Sequence, residues 1–124
     1  MSAFLMNVIR ETYHTVSLEI EHGTTRMVIF DPCLVSKQDW LKFVKNVESE
    51  KQAHIEHYIG EQAFFMEYDG DEFHITLDGP WAHCQICLDH SYKKSVLRNV
   101  KRFTKNINAN IDWTGTSDED DDEF

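Results

Sequence analysis

Twice along this chain the spacing of apolar residues switches from every second position to every third or fourth. A period of two places side chains on one face of a strand, whereas a period near 3.6 places them on one side of a helix. A chain that alternates the two must pack amphipathic helices onto strands. Residues 14–21 (HTVSLEIE) set Val16, Leu18 and Ile20 on one face, and residues 26–30 (RMVIF) follow after His22-Gly23-Thr24. The pair reads as a hairpin. Residues 63–68 (AFFMEY) and 72–77 (EFHITL), joined through Asp69-Gly70-Asp71, read as a second, and residues 81–88 as one more strand.

Each set is followed by a helical stretch. Ser36-Lys37-Gln38-Asp39 is a capping start, and Trp40, Leu41, Val44 and Val47 keep helical spacing to about Glu50. Ser91 opens the second helix, with Val96, Leu97, Val100, Phe103 and Ile107 on its core side. Residues 1–11 read as a short helix or an arm, and His54 and His57 would share a helix face if the first helix reached them. The expected class is α+β: an antiparallel sheet of two hairpins plus one strand, packed by two amphipathic helices. An echo at an offset of 56 sets Gly23 on Gly79, Val28 on Cys84, Phe30 on Ile86, and the first helix's apolar positions on those of the second. It is consistent with a duplicated strand–strand–helix unit.

At 124 residues the chain suffices for one domain with its own core, expected over 1–111. No apolar run is long enough for a membrane span. The opening MSAFLMNVIRE lacks the preceding positive charge and small-residue cleavage site of a secretory leader. With three cysteines and no leader, the expected compartment is a reducing cytoplasm, or the nucleus of an infected host for a viral protein. The net charge of −10 is unevenly spread. Asp112 and the run Asp118, Glu119, Asp120, Asp121, Asp122 and Glu123 give residues 112–124 seven acids and no base, leaving 15 acids against 12 bases elsewhere. That segment reads as a disordered acidic tail.

Residues 83–90, HCQICLDH, resemble half of a metal site. A strand would turn Cys84, Ile86, Leu88 and His90 to one face and His83, Gln85 and Cys87 to the other, so the two thiols could not clasp one ion. Gln85-Ile86 supplies neither the Gly nor the Pro that a tight zinc turn recruits. A redox pair would want its first thiol at a helix N-terminus. The strand reading is preferred, with a metal site on Cys84, Cys87 and His90 kept as the third possibility. No Gly-rich phosphate loop, His-Glu-x-x-His or Gly-x-Ser-x-Gly motif occurs, so neither catalysis nor a cofactor is expected.

Within the second helix, Lys93, Lys94, Arg98, Lys101, Arg102 and Lys105 are six bases with no acid among them. Lys94, Arg98, Lys101 and Lys105 form one stripe opposite the apolar positions, as a phosphate-binding face would. Trp81 and Tyr92 are the nearest aromatics for stacking a base, with Phe64, Phe65, Tyr68 and Phe73 as further candidates. The closing SDEDDDEF, an acidic run whose last residue is Phe124, resembles the C-terminal tip of bacterial and phage single-stranded-DNA-binding proteins. That resemblance implies that Asp118–Phe124 dock a replication-type protein and compete with nucleic acid for the basic face. The body departs from the five-stranded barrel of cellular members. In outline it is closer to the strand-rich, helix-capped units of coactivator-type single-stranded-DNA-binding proteins.

The favoured expectation is therefore a nonenzymatic single-stranded-nucleic-acid-binding protein, a replication or recombination accessory of viral or phage type. Exposed hairpin edges would also favour a homodimer. The competing expectation is an acidic nucleic-acid mimic or immunity-type inhibitor that presents Glu48, Glu50, Glu56, Glu61, Glu67, Asp69, Asp71 and Glu72 to a basic partner.

Overall fold

A computed structural model describes residues 3–10, 16–32, 35–80 and 83–106. In chain order the elements are β1 (Phe4–Arg10), β2 (Val16–His22), β3 (Thr25–Phe30), α1 (Lys37–Glu48), β4 (Ala53–Ile59), β5 (Gln62–Tyr68), β6 (Phe73–Asp78) and β7 (His83–Leu88). A single 3-10 turn, His90–Tyr92, then leads into α2 (Lys93–Asn106). The class is α+β, with both expected hairpins and both helices present. The sheet is divided, however, into a three-stranded antiparallel meander β1-β2-β3 and a four-stranded one β4-β5-β6-β7.

The two additional strands explain the division. β1 occupies the stretch expected as a helix or arm, in register with β2 through Met6↔Ile20 and Val8↔Leu18. Its outer face carries Leu5 and Ile9 as well, so the apolar residues do not alternate and the strand was hidden. β4 does alternate: Ala53, Ile55 and His57 are buried while His54, Glu56 and Tyr58 are exposed. His54 and His57 therefore face opposite ways on a strand.

Helix α1 begins where Ser36 accepts a hydrogen bond from the Asp39 N–H at 3.1 Å. It closes with paired bonds from Glu50 N–H to Val47 O and from Lys51 N–H to Asn46 O, the arrangement that normally seats a left-handed glycine. Here Glu50 takes that place at φ 59°. The missing glycine is why the sequence carries no sharp stop signal.

One core joins both sheets and both helices. Trp40, Phe43, Val44 and Val47 of α1 meet Val96, Val100 and Phe103 of α2, with the Trp40 and Phe103 rings edge to face at 5.1 Å. Trp40 Nε1 donates to Pro32 O at 3.3 Å, so the buried indole is not left unpaired. The sheets meet where β3 runs beside β7, and the buried His57 donates from Nε2 to Phe30 O at 2.8 Å.

The offset of 56 holds in the helices: Trp40, Phe43, Val44 and Val47 map onto the buried Val96, Asn99, Val100 and Phe103. It fails in the strands by one residue. Phe30 is 45% exposed whereas Ile86 is 2%, and the inward residues are Met27 and Ile29 in β3 but Ile86 and Leu88 in β7. Since side chains alternate strictly, an odd displacement exchanges the two faces. The repeated pattern is a three-stranded meander followed by a helix, with β4 added before the second copy.

Candidate nucleic-acid interface

Helix α2 is set in place from three sides. At its start, Asp89 accepts from the Ser91 hydroxyl and, at 2.9 Å, from the Ser91 N–H; these bonds hold its carboxyl below the ordinary aspartate range. Toward α1, Leu97, Lys93 and Lys101 line the seam, where Lys101 pairs with Glu48 at 3.0 Å and Lys93 with Glu50 at 3.5 Å. Toward β1, polar side chains substitute for a missing strand. Asn99, 2% exposed, accepts from Met6 N–H and donates to Phe4 O, each at 3.0 Å. Ser95 donates to Phe4 O at 3.4 Å, and Arg102 to Met6 O at 3.0 Å and to Asn99 Oδ1 at 2.7 Å. An edge strand with unpaired N–H and C=O groups invites another strand, and α2 satisfies three of those groups, Phe4 O, Met6 N–H and Met6 O.

These contacts sort the six expected bases into two groups. Lys93 and Lys101 are paired with acids of the α1 end, so the absence of acids within α2 does not mean an absence of ion pairs. Arg102 is held by backbone and by Asn99. Lys94, Arg98 and Lys105 remain on the solvent side with no acid partner among the described residues. Together with Leu97, Lys101 and Arg102 they line one open recess along the helix. At 1.5 Å rise per residue, Lys94 to Lys105 extends about 16 Å.

Tyr92 is half-buried, its ring edge to face with His22 at 5.1 Å, so it is not a free stacking platform. Phe64, Tyr68 and Phe73 are core residues at 0–1% exposure, and Phe65 is half-buried. Among the described residues the exposed aromatics are Tyr58, 59% exposed and edge to face with Phe65 at 5.8 Å, and Phe30. Both were missed; for Tyr58 the signal was the alternation of AHIEHYI, the residues of β4. Trp81 and the tail residues Asp118, Glu119, Asp120, Asp121, Asp122, Glu123 and Phe124 lie outside the described residues.

Cys84 is half-buried and Cys87 exposed, on opposite faces of β7, while His90 is in the 3-10 turn beyond it. One ion cannot be held by both thiols. Among the described residues no cluster of three or more histidine, cysteine or acidic side chains has metal-binding geometry. The acids of the competing expectation, Glu48, Glu50, Glu56, Glu61, Glu67, Asp69, Asp71 and Glu72, are all exposed. No described helix is long and apolar enough to cross a membrane. No protein-family model matches the chain, and no curated protein matches it.

Proposed function

We propose that the chain is a nonenzymatic single-stranded-nucleic-acid-binding protein whose phosphate contacts fall mainly on Lys94, Arg98 and Lys105. The observation that carries this reading is the set of three outward cations on one helix stripe, without acid partners among the described residues, in a chain of net charge −10. An uncompensated stripe is the feature a polyanion recognises. The outline of two strand meanders, each followed by a helix, is in keeping with coactivator-type single-stranded-DNA-binding proteins, an analogy of fold alone. The tail, through Asp118–Phe124, docks a replication-type protein and, being tethered close to α2, competes with nucleic acid for the same cations.

The test is fluorescence anisotropy of labelled oligo-dT with the full chain and with a variant ending at Gly115, over a salt series. Binding should tighten on truncation. Three phosphate contacts to a single strand give a log–log salt slope near −2, against about −4 if all six bases took part. No binding by either form, or unchanged binding by a Lys94→Glu, Arg98→Glu, Lys105→Glu variant, refutes the reading.

One observation favours the acidic-inhibitor alternative: Glu61, Glu67, Asp71 and Glu72 are exposed and have no cationic partner among the described residues. Absence of nucleic-acid binding, together with capture of one basic protein, would select it.

A further inference from the structure

On the outer face of the four-stranded sheet, well away from the inward Cys84, one thiol has a base beside it. Cys87 on β7 lies directly opposite His74 on β6, and its Sγ is 3.7 Å from His74 Nδ1. The other ring nitrogen, Nε2, is 3.6 Å from Asp69 Oδ2 in the β5–β6 turn. Asp69 is itself fixed, accepting at Oδ1 from the N–H groups of Asp71 at 2.9 Å and Glu72 at 2.8 Å. Those two bonds, more than the neighbouring His74, hold its carboxyl below the ordinary aspartate range, so it stays ionised.

We propose that Cys87, His74 and Asp69 form a base-assisted thiol site that reacts stoichiometrically with small neutral or cationic disulfides. The carboxylate next to Nε2 favours the tautomer protonated there, which leaves the Nδ1 lone pair toward Sγ. A thiol, a base and a group that orients the base is the arrangement that activates a nucleophile. His74 Nδ1 takes the Cys87 proton, and the thiolate attacks one sulfur of R–S–S–R. The Cys87 S–S–R bond forms as the original S–S bond breaks, and RS⁻ leaves as RSH with the proton from His74. Cys87 is oxidised and the departing half of the reagent is reduced.

The charge around the site sets the class of reagent. A shallow recess of about 540 Å³ adjoins His74, lined among others by His54, Glu56, Glu67 and Asp69. Glu67 faces His74 across the β5–β6 pair. Three carboxylates against two histidines disfavour an anionic reagent.

In the test, the full chain is treated with cystamine, which is dicationic, at about pH 6.5, near the range where an imidazole exchanges protons. The reaction is quenched in acid, and the label is mapped by peptide mass spectrometry. Cys87 should carry it first, and His74→Gln should slow it by at least about tenfold, a threshold set below the roughly hundredfold low end of what a positioned base contributes. The His74→Gln rate should also depend on pH more steeply than that of the unaltered chain. With each rate divided by that of the same reagent with 2-mercaptoethanol, anionic dithiodipropionate should react more slowly than cystamine at low salt, and the gap should narrow at high salt. Labelling of Cys84 ahead of Cys87, or a His74→Gln rate within about twofold of the unaltered chain, overturns the proposal. Misfolding is separable from loss of the base, since Cys87 is already exposed and unfolding would instead uncover the half-buried Cys84 and raise its labelling.

Discussion

Replacing Asn99 by Leu tests the idea that α2 stands in for a strand along β1. The Asn99 amide makes four hydrogen bonds: from Met6 N–H, from Arg102, to Phe4 O and to Ser95 O. Leu has a similar volume and fills the site, so the loss is polar rather than a cavity. The Met6 N–H then has no partner, and a buried donor left unmade costs about 1–3 kcal/mol. Phe4 O keeps the longer bond from Ser95 at 3.4 Å, so its share is nearer 1 kcal/mol. The expected total is about 2–4 kcal/mol, or a fall in Tm of roughly 10–25 °C for a domain of this size. Urea unfolding followed by tryptophan fluorescence measures it, and hydrogen exchange at the Met6 amide should accelerate in parallel. Thr104→Val is the control. Thr104 is also buried on α2, but its hydroxyl bonds only Lys101 O of its own helix at 2.9 Å, so it should cost no more than about 1 kcal/mol. If Asn99→Leu unfolds within 0.5 kcal/mol of the unaltered chain, on the scale of ordinary surface substitutions, with Met6 still protected, the edge bonds are not what anchors β1.

Glu50→Gly should stabilise the protein by about 1 kcal/mol in the same assay, because a residue with a Cβ at φ 59° is strained and its exposed pairing with Lys93 contributes little. Arg102→Ala should lower stability by about 1–2 kcal/mol through Met6 O, yet weaken oligo-dT binding much less than Arg98→Ala. Asp69 has a folded pKa below its unfolded value, so its contribution is present above the unfolded pKa and lost as pH falls through the folded one. Stability should therefore drop in acid below about pH 4, and Asp69→Asn, which still accepts from the turn amides, should flatten that limb in a pH series of thermal melts.

Where each residue's role depends on its near neighbours, the sequence was sufficient. Val16, Leu18 and Ile20 alternate, Trp40, Val44 and Val47 recur at helical spacing, and Ser36 stands three residues before Asp39. Strand, helix and cap follow, and so does the placement of Cys84 and Cys87 on opposite faces, because backbone geometry alone sets a period. The same locality concealed β1, which has apolar side chains on both faces and so no period to detect.

Which cations keep no acid partner among the described residues was decided only by tertiary structure. Lys93, Lys101 and Arg102 look like Lys94, Arg98 and Lys105 along the helix, yet the first three meet Glu50, Glu48 and Met6 O. Exposure divides the aromatics in the same way, with Phe64 in the core and Tyr58 outside it. The amide that bonds the start of the β1 edge lies 93 residues from the N–H it accepts, and the base beside Cys87 comes from the neighbouring strand. Such pairings depend on how the two sheets and two helices share one core, and a hydrophobic period fixes which face of an element turns inward but not what it meets there.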